Sequence, residues 1–254
     1  MSDTTPRSVG HDDELSITPR VEARVLKGLV TAMERGLPLD ERTVAEQAGV
    51  ATEVAGATLR SWGVGTAALK DEELLGLVEG LLLKSAGSDR LLEGLRWELF
   101  ERAVGRMLGR AGLEVLWDVR LNIEPTRYQF DLLAVGGGAV YAVECKRWRR
   151  TITPSLMRTV SGELLRKLEA LERALLHLLG QGRARVLLVP LVIAPYVPPT
   201  MGDVYFASVR HLRSFLAEPA AALESPPVRE LRLTSPPSAM TFRRAPFRSL
   251  KSRP

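Results

Sequence analysis

Two acidic residues and one lysine lie on neighbouring segments that have the pattern of paired strands. Asp131 belongs to YQFDLLAV, Glu144 and Lys146 belong to AVYAVECKRW, and three glycines at 136–138 separate the two segments. Both segments are rich in β-branched and aromatic residues, and the glycines stand at hairpin spacing, so a β-hairpin is predicted. Side chains alternate between the faces of a strand, which places Glu144 and Lys146 on one face and Cys145 on the other.

The predicted pairing brings the two carboxylates together. If the residues between the strands form a four-residue loop, Val135 pairs with Val140 and Asp131 falls opposite Glu144, with the Cβ atoms about 4.5–5.5 Å apart. Two carboxylates at such a short distance in an apolar sheet repel each other, and they are costly to desolvate unless a cation lies between them. Oxygen ligands suit Mg²⁺, which usually takes one or two protein carboxylates and keeps several waters. In a simpler alternative, one carboxylate lies at a solvated strand end and Lys146 neutralises the other.

The hairpin and the helix before it resemble a known nuclease superfamily. The helix FERAVGRMLGRAG and the two strands stand in the order and spacing of the PD-(D/E)XK nucleases, which have the restriction-endonuclease-like fold, over about 88–218. The resemblance implies that Asp131 and Glu144 ligate Mg²⁺, for which Mn²⁺ can substitute, with help from the backbone carbonyl of Cys145. Lys146 would orient the attacking water or help to deprotonate it, and would balance phosphate charge.

The resemblance also implies a glutamate on the preceding helix, which would bind a second metal or a metal-bound water. Glu101 fits the spacing of the superfamily to Gly112, and its helical neighbours are apolar, so Glu101 is preferred. Glu98 is the alternative; with Arg102 four residues later it has the geometry of a surface ion pair. Phe130 stands where the proline of the superfamily's name would be, but many members lack that proline.

Basic side chains, with one aromatic among them, follow the lysine. Cations beside a phosphodiester site can hold the nucleic-acid backbone, and an aromatic side chain can stack on a base. These candidates are Arg147, Trp148, Arg149 and Arg150 directly after the strand, and Arg158, Arg166 and Lys167 on the next helix. The alternative is a solvated loop with Trp148 packed on the domain edge. Glu163 and Lys167 are most simply a pair on the surface of that helix, although some nucleases of this fold place assisting residues there.

The N-terminal part reads as helical. Apolar residues recur at three- and four-residue steps from Pro19, and two shorter helices follow, with Asp40 as a cap and Gly49 as a turn. The stretch TVAEQAGVATEVAGATLRSWG resembles a helix-turn-helix unit. Its second helix, 52–62, offers just Arg60 as a cation for phosphate and carries Glu53, which would repel phosphate. The alternative is a small helical bundle that packs on the main domain or on another subunit.

The fold class predicted for the whole chain is α/β, with a restriction-endonuclease-like mixed sheet flanked by helices after an all-α, helix-turn-helix-like domain. Helices alternate with nearly continuous apolar strands, which indicates a sheet covered on both faces. The predicted domains are a flexible lead-in at 1–18, the helical domain at 19–86, the nuclease domain at 87–218 and a basic tail rich in proline and arginine at 219–254.

The positive charge of the chain is concentrated at its C-terminal end. Residues 226–254 carry a net charge of +6, whereas residues 1–225 carry −1. Prolines in this region prevent long helices, and the excess charge discourages a compact core. The region is therefore predicted to be a tail outside the catalytic body that aids DNA binding through non-specific electrostatics.

Composition limits the remaining classes. No apolar stretch reaches the roughly 18 residues of a membrane span, and the polar N-terminus lacks the layout of a signal peptide, so a cytoplasmic protein without membrane contact is expected. Cys145 is the single cysteine, which excludes an intrachain disulfide and a cysteine-based zinc site. The scarcity of Asn and Gln suits a thermophile, and the excess of arginine over lysine fits either a thermophile or a GC-rich genome.

The expected function is that of a Mg²⁺-dependent nuclease that hydrolyses DNA phosphodiester bonds in repair, recombination or defence. DNA is preferred to RNA because the resemblance points that way. Nucleases of this fold often act as dimers, so a homodimer and a repair or defence protein are the partners to consider besides DNA. The alternative is a DNA-binding regulator or adaptor with an inactive nuclease fold, or an interaction module in a larger repair or defence assembly.

Overall fold

The computed structural model divides the chain into two compact units, residues 1–68 and 69–254. Within the described residues, no helix has the length and apolar character needed to cross a membrane. The described residues are 17–65, 69–84, 91–92, 95–123, 125–148, 152–195, 197, 200–209, 211–212, 214, 228–244 and 246–249.

The described part of the first unit, 17–65, contains three helices: α1 (Pro19–Glu34), α2 (Glu41–Ala48) and α3 (Thr52–Ser61). Asp40 caps α2 as predicted, because its Oδ1 accepts the N–H of Thr43 at 2.8 Å. Gly49 ends α2 with a left-handed backbone, φ 63°, a conformation that a side chain would strain. The helices and their caps thus lie where the sequence predicts them, while a DNA-binding role for them stays a prediction.

The second unit is built on a mixed sheet with three helices in its described part. The helices are α4 (Asp71–Lys84), α5 (Trp97–Arg110) and α6 (Pro154–Leu179). The strands are β1 (Glu114–Ile123), β2 (Thr126–Gly136), β3 (Ala139–Cys145), β4 (Gln181–Ile193), β5 (Thr200–Met201), β6 (Tyr205–Ala207), β7 (Arg229–Leu233) and β8 (Phe247–Ser249). Their order is β5-β6-β4-β3-β2-β1-β8, and β7 pairs with β4 outside this path. The β3–β4 and β4–β6 pairs are parallel and the others antiparallel.

Helix α4 belongs to the second unit, whereas the sequence predicted that the helical N-terminal domain extends to residue 86. The physical reason is a set of ion pairs between α4 and α5. The buried carboxylate of Glu79 lies 2.6 Å from Arg110 Nη1 and 3.5 Å from Arg106 Nε. Sequence patterning identified α4 as a helix but could not assign it to a unit, because that assignment depends on which helix its acidic face meets.

The β2–β3 hairpin has the predicted register, with Val135 opposite Val140. The ladder continues one pair further, to Gly136 and Ala139, so the loop contains two residues instead of the predicted four. Both loop residues are glycines with positive φ, 59° at Gly137 and 77° at Gly138. A two-residue turn with two left-handed positions strongly favours glycine.

The core of the second unit lies between the sheet and α6. Every residue of β3 is buried, and β4 is buried from Val186 onward. On the sheet, Val140 and Ala142 share a cluster with Leu164 and Leu168 of α6. Because alternate residues of a strand share a face, Glu144 lies at the end of this α6-facing row.

The C-terminal region is part of the sheet, which corrects the prediction of a separate tail at 219–254. In the described residues 228–244 and 246–249, β7 pairs with β4 and β8 pairs with β1. The leucines of β7 are buried, and so are Phe242 and Phe247, whose rings meet edge to face with centroids 5.1 Å apart. Net charge misled the prediction because the charged side chains of β7 alternate with leucines and remain on its outer side. The segment RHLRSFLAE at 210–218, for which the sequence also predicts a helix, lies largely outside the described residues.

Truncation of a C-terminal core residue tests whether this region is integral to the unit. Phe242→Ala should lower the free energy of unfolding by about 3–5 kcal/mol, because it removes a fully buried aromatic ring. Met240→Ala is the control, since Met240 is 59% exposed and its truncation should cost little. Chemical denaturation followed by circular dichroism measures both. Equal stability of the two variants would contradict the packing described above.

Candidate active site

The two predicted carboxylates meet where β2 and β3 run side by side. Glu144 is the penultimate residue of β3, and only 5% of its side chain is exposed. Asp131 lies on β2 at the position that continues the register beyond the Leu132–Val143 pair. Its Oδ2 accepts the backbone N–H of Cys145 at 2.8 Å. The hairpin therefore holds both acids at the point where the apolar ladder ends.

Two lysines bind the buried glutamate from different elements. Lys146 Nζ donates to Glu144 Oε2 at 3.1 Å, and Lys167 Nζ of α6 donates to Oε1 of the same carboxylate. The backbone N–H of Lys146 donates to the carbonyl of Ile193 at 2.8 Å, which ties the residue after β3 to the end of β4. Each oxygen of Glu144 thus has an ammonium partner.

Two acids of the site, Asp131 and Glu101, have raised pKa values. Burial raises the pKa of Asp131 to about 6, and the charge of Glu144 adds to this rise. The hydrogen bond from the Cys145 N–H and the charges of the two lysines lower the pKa, but they do not cancel the rise. Burial raises the pKa of Glu101 to about 8, with further contributions from Asp131 and Asp118. These shifts are expected where negative charges are crowded in a site with restricted access to water.

The pKa values of the Lys146 ammonium and the Cys145 thiol are also shifted. Burial by itself would lower the pKa of Lys146, but the charge and hydrogen bond of Glu144 outweigh it, and the net effect is a raised pKa. Burial, followed by the charge of Asp131, raises the pKa of the Cys145 thiol well above its ordinary value. Lys146 is therefore an ammonium, and Cys145 a neutral thiol, at neutral pH.

The structure separates the two helical glutamates. Glu101 is partly buried on α5, and the charges of both hairpin acids act on it. Glu98 is 62% exposed and pairs with Arg96 at 3.6 Å. Arg102, the expected partner of Glu98, pairs instead with acidic residues of α4. Of the two, Glu101 is the one brought to the carboxylate pair.

Most of the predicted nucleic-acid contacts have other partners or lie outside the described residues. Arg147 Nη1 donates to the carbonyl of Leu95 at 2.5 Å, and Trp148 packs partly buried against the core, as in the alternative interpretation. In the first unit, Arg60 forms an ion pair with Glu41. Arg158 and Arg166 are exposed on α6, and Arg149 and Arg150 fall outside the described residues.

Lys167 makes a contact at the site that the sequence did not predict. It was predicted to pair with Glu163 on the helix surface, but it contacts Glu144. Its position beside Leu164, Leu168 and Leu171, which face the core, was the available signal. A lysine at the margin of an apolar helix face reaches towards whatever polar group lies under that face.

Asp118 was also missed. It lies in the middle of β1, and its φ of 47° is left-handed, a conformation that non-glycine residues adopt only at some cost in energy. Its carboxylate accepts from Gln129 Nε2 at 2.8 Å and from Arg120 Nη2 at 3.1 Å. Its charge contributes to the raised pKa of Glu101. The distortion therefore places a further acid near the site, which strand patterning does not predict.

The donor set fits a hard divalent cation. In the described part of the chain, no group of three or more His, Cys, Asp or Glu side chains is arranged to hold a metal ion. Mg²⁺ does not need such a group, because it is commonly held by one or two carboxylates with water completing the shell. The side chains of Asp131 and Glu144 and the carbonyl of Cys145 are all oxygen donors. At Asp131, the charges of Lys146 and Lys167 only partly offset the effects of burial and of the Glu144 charge on the pKa.

The stability of the metal-free protein should record this electrostatic crowding. The pKa of Asp131 is raised in the folded state, so its ionisation destabilises the fold as pH rises from about 4 to above 6. In EDTA, Asp131→Asn should therefore stabilise the protein by about 3 kcal/mol at pH 8 and by almost nothing below pH 4. Denaturant titrations at several pH values measure the difference. Asp203→Asn, at an exposed position, is the control; a pH-independent effect of Asp131→Asn would contradict the crowding.

Comparisons with known proteins place this site in a recognised domain. Residues 96–195 match the model of the nuclease-related domain (NERD), and this range contains Glu101, Asp131, Glu144 and Lys146. The crystal structure of protein VC1899 from Vibrio cholerae is similar at 12% sequence identity and a TM-score of 0.32. The match covers 82% of this chain and 57% of that chain. No curated protein matches the sequence. Residues 96–195 thus resemble the nuclease-related domain, and that domain belongs to a PD-(D/E)XK-like nuclease class.

Proposed function

We propose that this protein is a Mg²⁺-dependent nuclease that hydrolyses DNA phosphodiester bonds in repair, recombination or defence. The observation that carries the proposal is the meeting of Asp131, Glu144 and Lys146 at one end of the hairpin, with Lys146 Nζ 3.1 Å from Glu144 Oε2. The match of residues 96–195 to a nuclease-related domain supports the same chemistry. In this proposal, DNA is the substrate and Mg²⁺ is the cofactor.

Asp131, Glu144 and the Cys145 carbonyl would hold Mg²⁺, and Glu101 would hold a second ion or a metal-bound water. Bound Mg²⁺ supplies charge stabilisation at the phosphate and a more acidic water. Burial of Glu144, with 5% of its side chain exposed, keeps this carboxylate in one orientation and reduces competition from bulk water.

Lys146 contributes as a cation. Its raised pKa keeps Nζ protonated at neutral pH, so it can donate hydrogen bonds to a water or to a phosphate oxygen. Its backbone bond to Ile193 holds the lysine where β3 ends, next to the acids. A fixed ammonium at this position orients the nucleophile and offsets the negative charge that develops on the phosphate.

The proposal also covers the role of the N-terminal helices and the partners of the protein. Helices α1 to α3 would either bind DNA or place the catalytic unit, and Arg60 would be free for phosphate only if it left Glu41. A homodimer would suit cleavage of two strands. A repair or defence protein is the second expected partner.

One observation favours the alternative of a DNA-binding regulator with an inactive nuclease fold. Both oxygens of Glu144 are bonded by lysines, and a permanently neutralised carboxylate would not bind Mg²⁺. Chelation separates the two functions. EDTA should abolish cleavage by a nuclease, whereas it should leave simple DNA retention by a regulator unchanged.

The direct test is a Mg²⁺-dependent cleavage assay over a panel of labelled DNA structures. Lys146→Ala should reduce the rate at least about 100-fold, because a positioned group that assists proton transfer or charge balance is worth that much or more. Lys70→Ala, at an exposed lysine of the same unit, is the matched control and should cut at the wild-type rate. A fully active Lys146→Ala protein would overturn the proposed mechanism.

The two helical glutamates provide a second test. Glu101→Gln should lower the rate of DNA cleavage by at least about tenfold, because this side chain is close enough to Asp131 and Glu144 for their charges to act on it. Glu98→Gln removes the same charge from the same helix at an exposed position and should change the rate by less than about twofold. The reverse order of effects would assign the role to Glu98.

A further inference from the structure

The buried carboxylate of Glu144 is held by one lysine from the strand end and by another from α6. Lys146 follows β3 directly, whereas Lys167 lies 23 residues from Glu144 in the sequence. Two residues from separate elements therefore converge on a side chain that is only 5% exposed. A buried carboxylate needs such partners, because removal from water without compensation is costly.

The net charge of the site indicates how Lys167 would affect the binding of phosphate. With every group ionised, as a bound divalent cation would favour, the three acids Glu101, Asp131 and Glu144 carry −3 and the two lysines carry +2, a net charge of −1 before the cation is counted. A bound divalent cation would bring the site to +1, which matches one phosphodiester. Without Lys167, the cation-loaded site would be neutral and would have no net attraction for phosphate.

Lys167 has the freedom to change its partner. Its side chain is 24% exposed, so it reaches the margin of the site and is not enclosed in the core. Its neighbours Leu164 and Leu168 are buried against the sheet and fix this turn of α6. A long, flexible stem on a fixed backbone lets the ammonium move while the helix stays in place.

We infer that Lys167 is a positioning residue that holds Glu144 in the absence of a divalent cation and is displaced from it when the cation binds. The ammonium and the cation would compete for the same carboxylate, and the displaced ammonium would be available to a phosphate. This inference rests on the proposed function, since it requires that Glu144 binds a divalent cation.

Cation affinity in the absence of DNA tests the inference independently of activity. Mn²⁺ binding to the full-length protein can be measured by isothermal titration calorimetry at about 0.1 M salt, where charges beyond about 10 Å are screened. Lys167→Met should bind Mn²⁺ at least about tenfold more tightly, because it removes a competitor and a nearby positive charge. Lys167→Arg keeps the charge and should bind with nearly the wild-type affinity.

Arg173→Met is the matched control for Lys167→Met. Arg173 is exposed on the same helix, and the substitution removes the same charge away from Glu144. Its Mn²⁺ affinity should stay within about twofold of the wild type at this salt concentration. An unchanged or weaker affinity in Lys167→Met, or an equal gain in Arg173→Met, would overturn the inference.

Thermal melting provides a second readout. In EDTA, Lys167→Met should melt at a lower temperature than the wild type, because Glu144 loses one of its two partners. Addition of Mn²⁺ should raise the Tm of Lys167→Met by more than that of the wild type, since stabilisation by a ligand grows with its affinity. A smaller Mn²⁺-induced rise in the variant would count against the competition.

Asp131→Asn distinguishes failure of the inference from failure of the proposed function. If the wild type binds Mn²⁺, Asp131→Asn does not, and Lys167→Met is unchanged, the metal site stands and the role of Lys167 is wrong. If the wild type and Asp131→Asn give the same titration, the proposed metal site is itself wrong and the inference falls with it.

Discussion

The burial of a carboxylate pair at the end of an apolar hairpin is the constraint on which the rest of this site depends. Asp131 and Glu144 stand where the hydrophobic β2–β3 ladder stops, and Asp131 is stabilised there by the N–H of Cys145. Burial and mutual repulsion raise the pKa of Asp131 to about 6. Such a pair persists only because the surrounding sheet fixes both strands and because lysines supply compensating charge.

The elements around the pair each bring one kind of charge to it. The end of β3 brings Lys146, α6 brings Lys167, and α5 brings the further acid Glu101. Arg147 ties the chain after β3 to the carbonyl of Leu95, just before α5 begins. The helix that carries Glu101 is thereby linked to the strand that carries Glu144 and to Lys146, which follows that strand. Site geometry and helix packing are consequently parts of one arrangement.

The C-terminal region extends this arrangement to both margins of the sheet. Strand β8 covers the edge of β1, and β7 pairs with the first half of β4. Edge strands expose unpaired backbone groups, and a strand added late in the chain satisfies them. A region that appears in the sequence as a basic tail therefore completes the sheet that supports the site.

The sequence by itself determined the hairpin, its register, the caps of α2 and the proximity of Asp131, Glu144 and Lys146, because these follow from local spacing and from alternation along a strand. A catalytic role for the three residues stays a prediction. The tertiary structure alone decided that Lys167 joins Glu144, that Arg147 and Trp148 turn inward, that α4 packs on α5 and that β7 and β8 complete the sheet. The physical reason is that each of these contacts joins residues far apart in the chain. Charge counts and periodicity describe a segment, whereas the partner of a charged or apolar side chain depends on what the fold brings next to it.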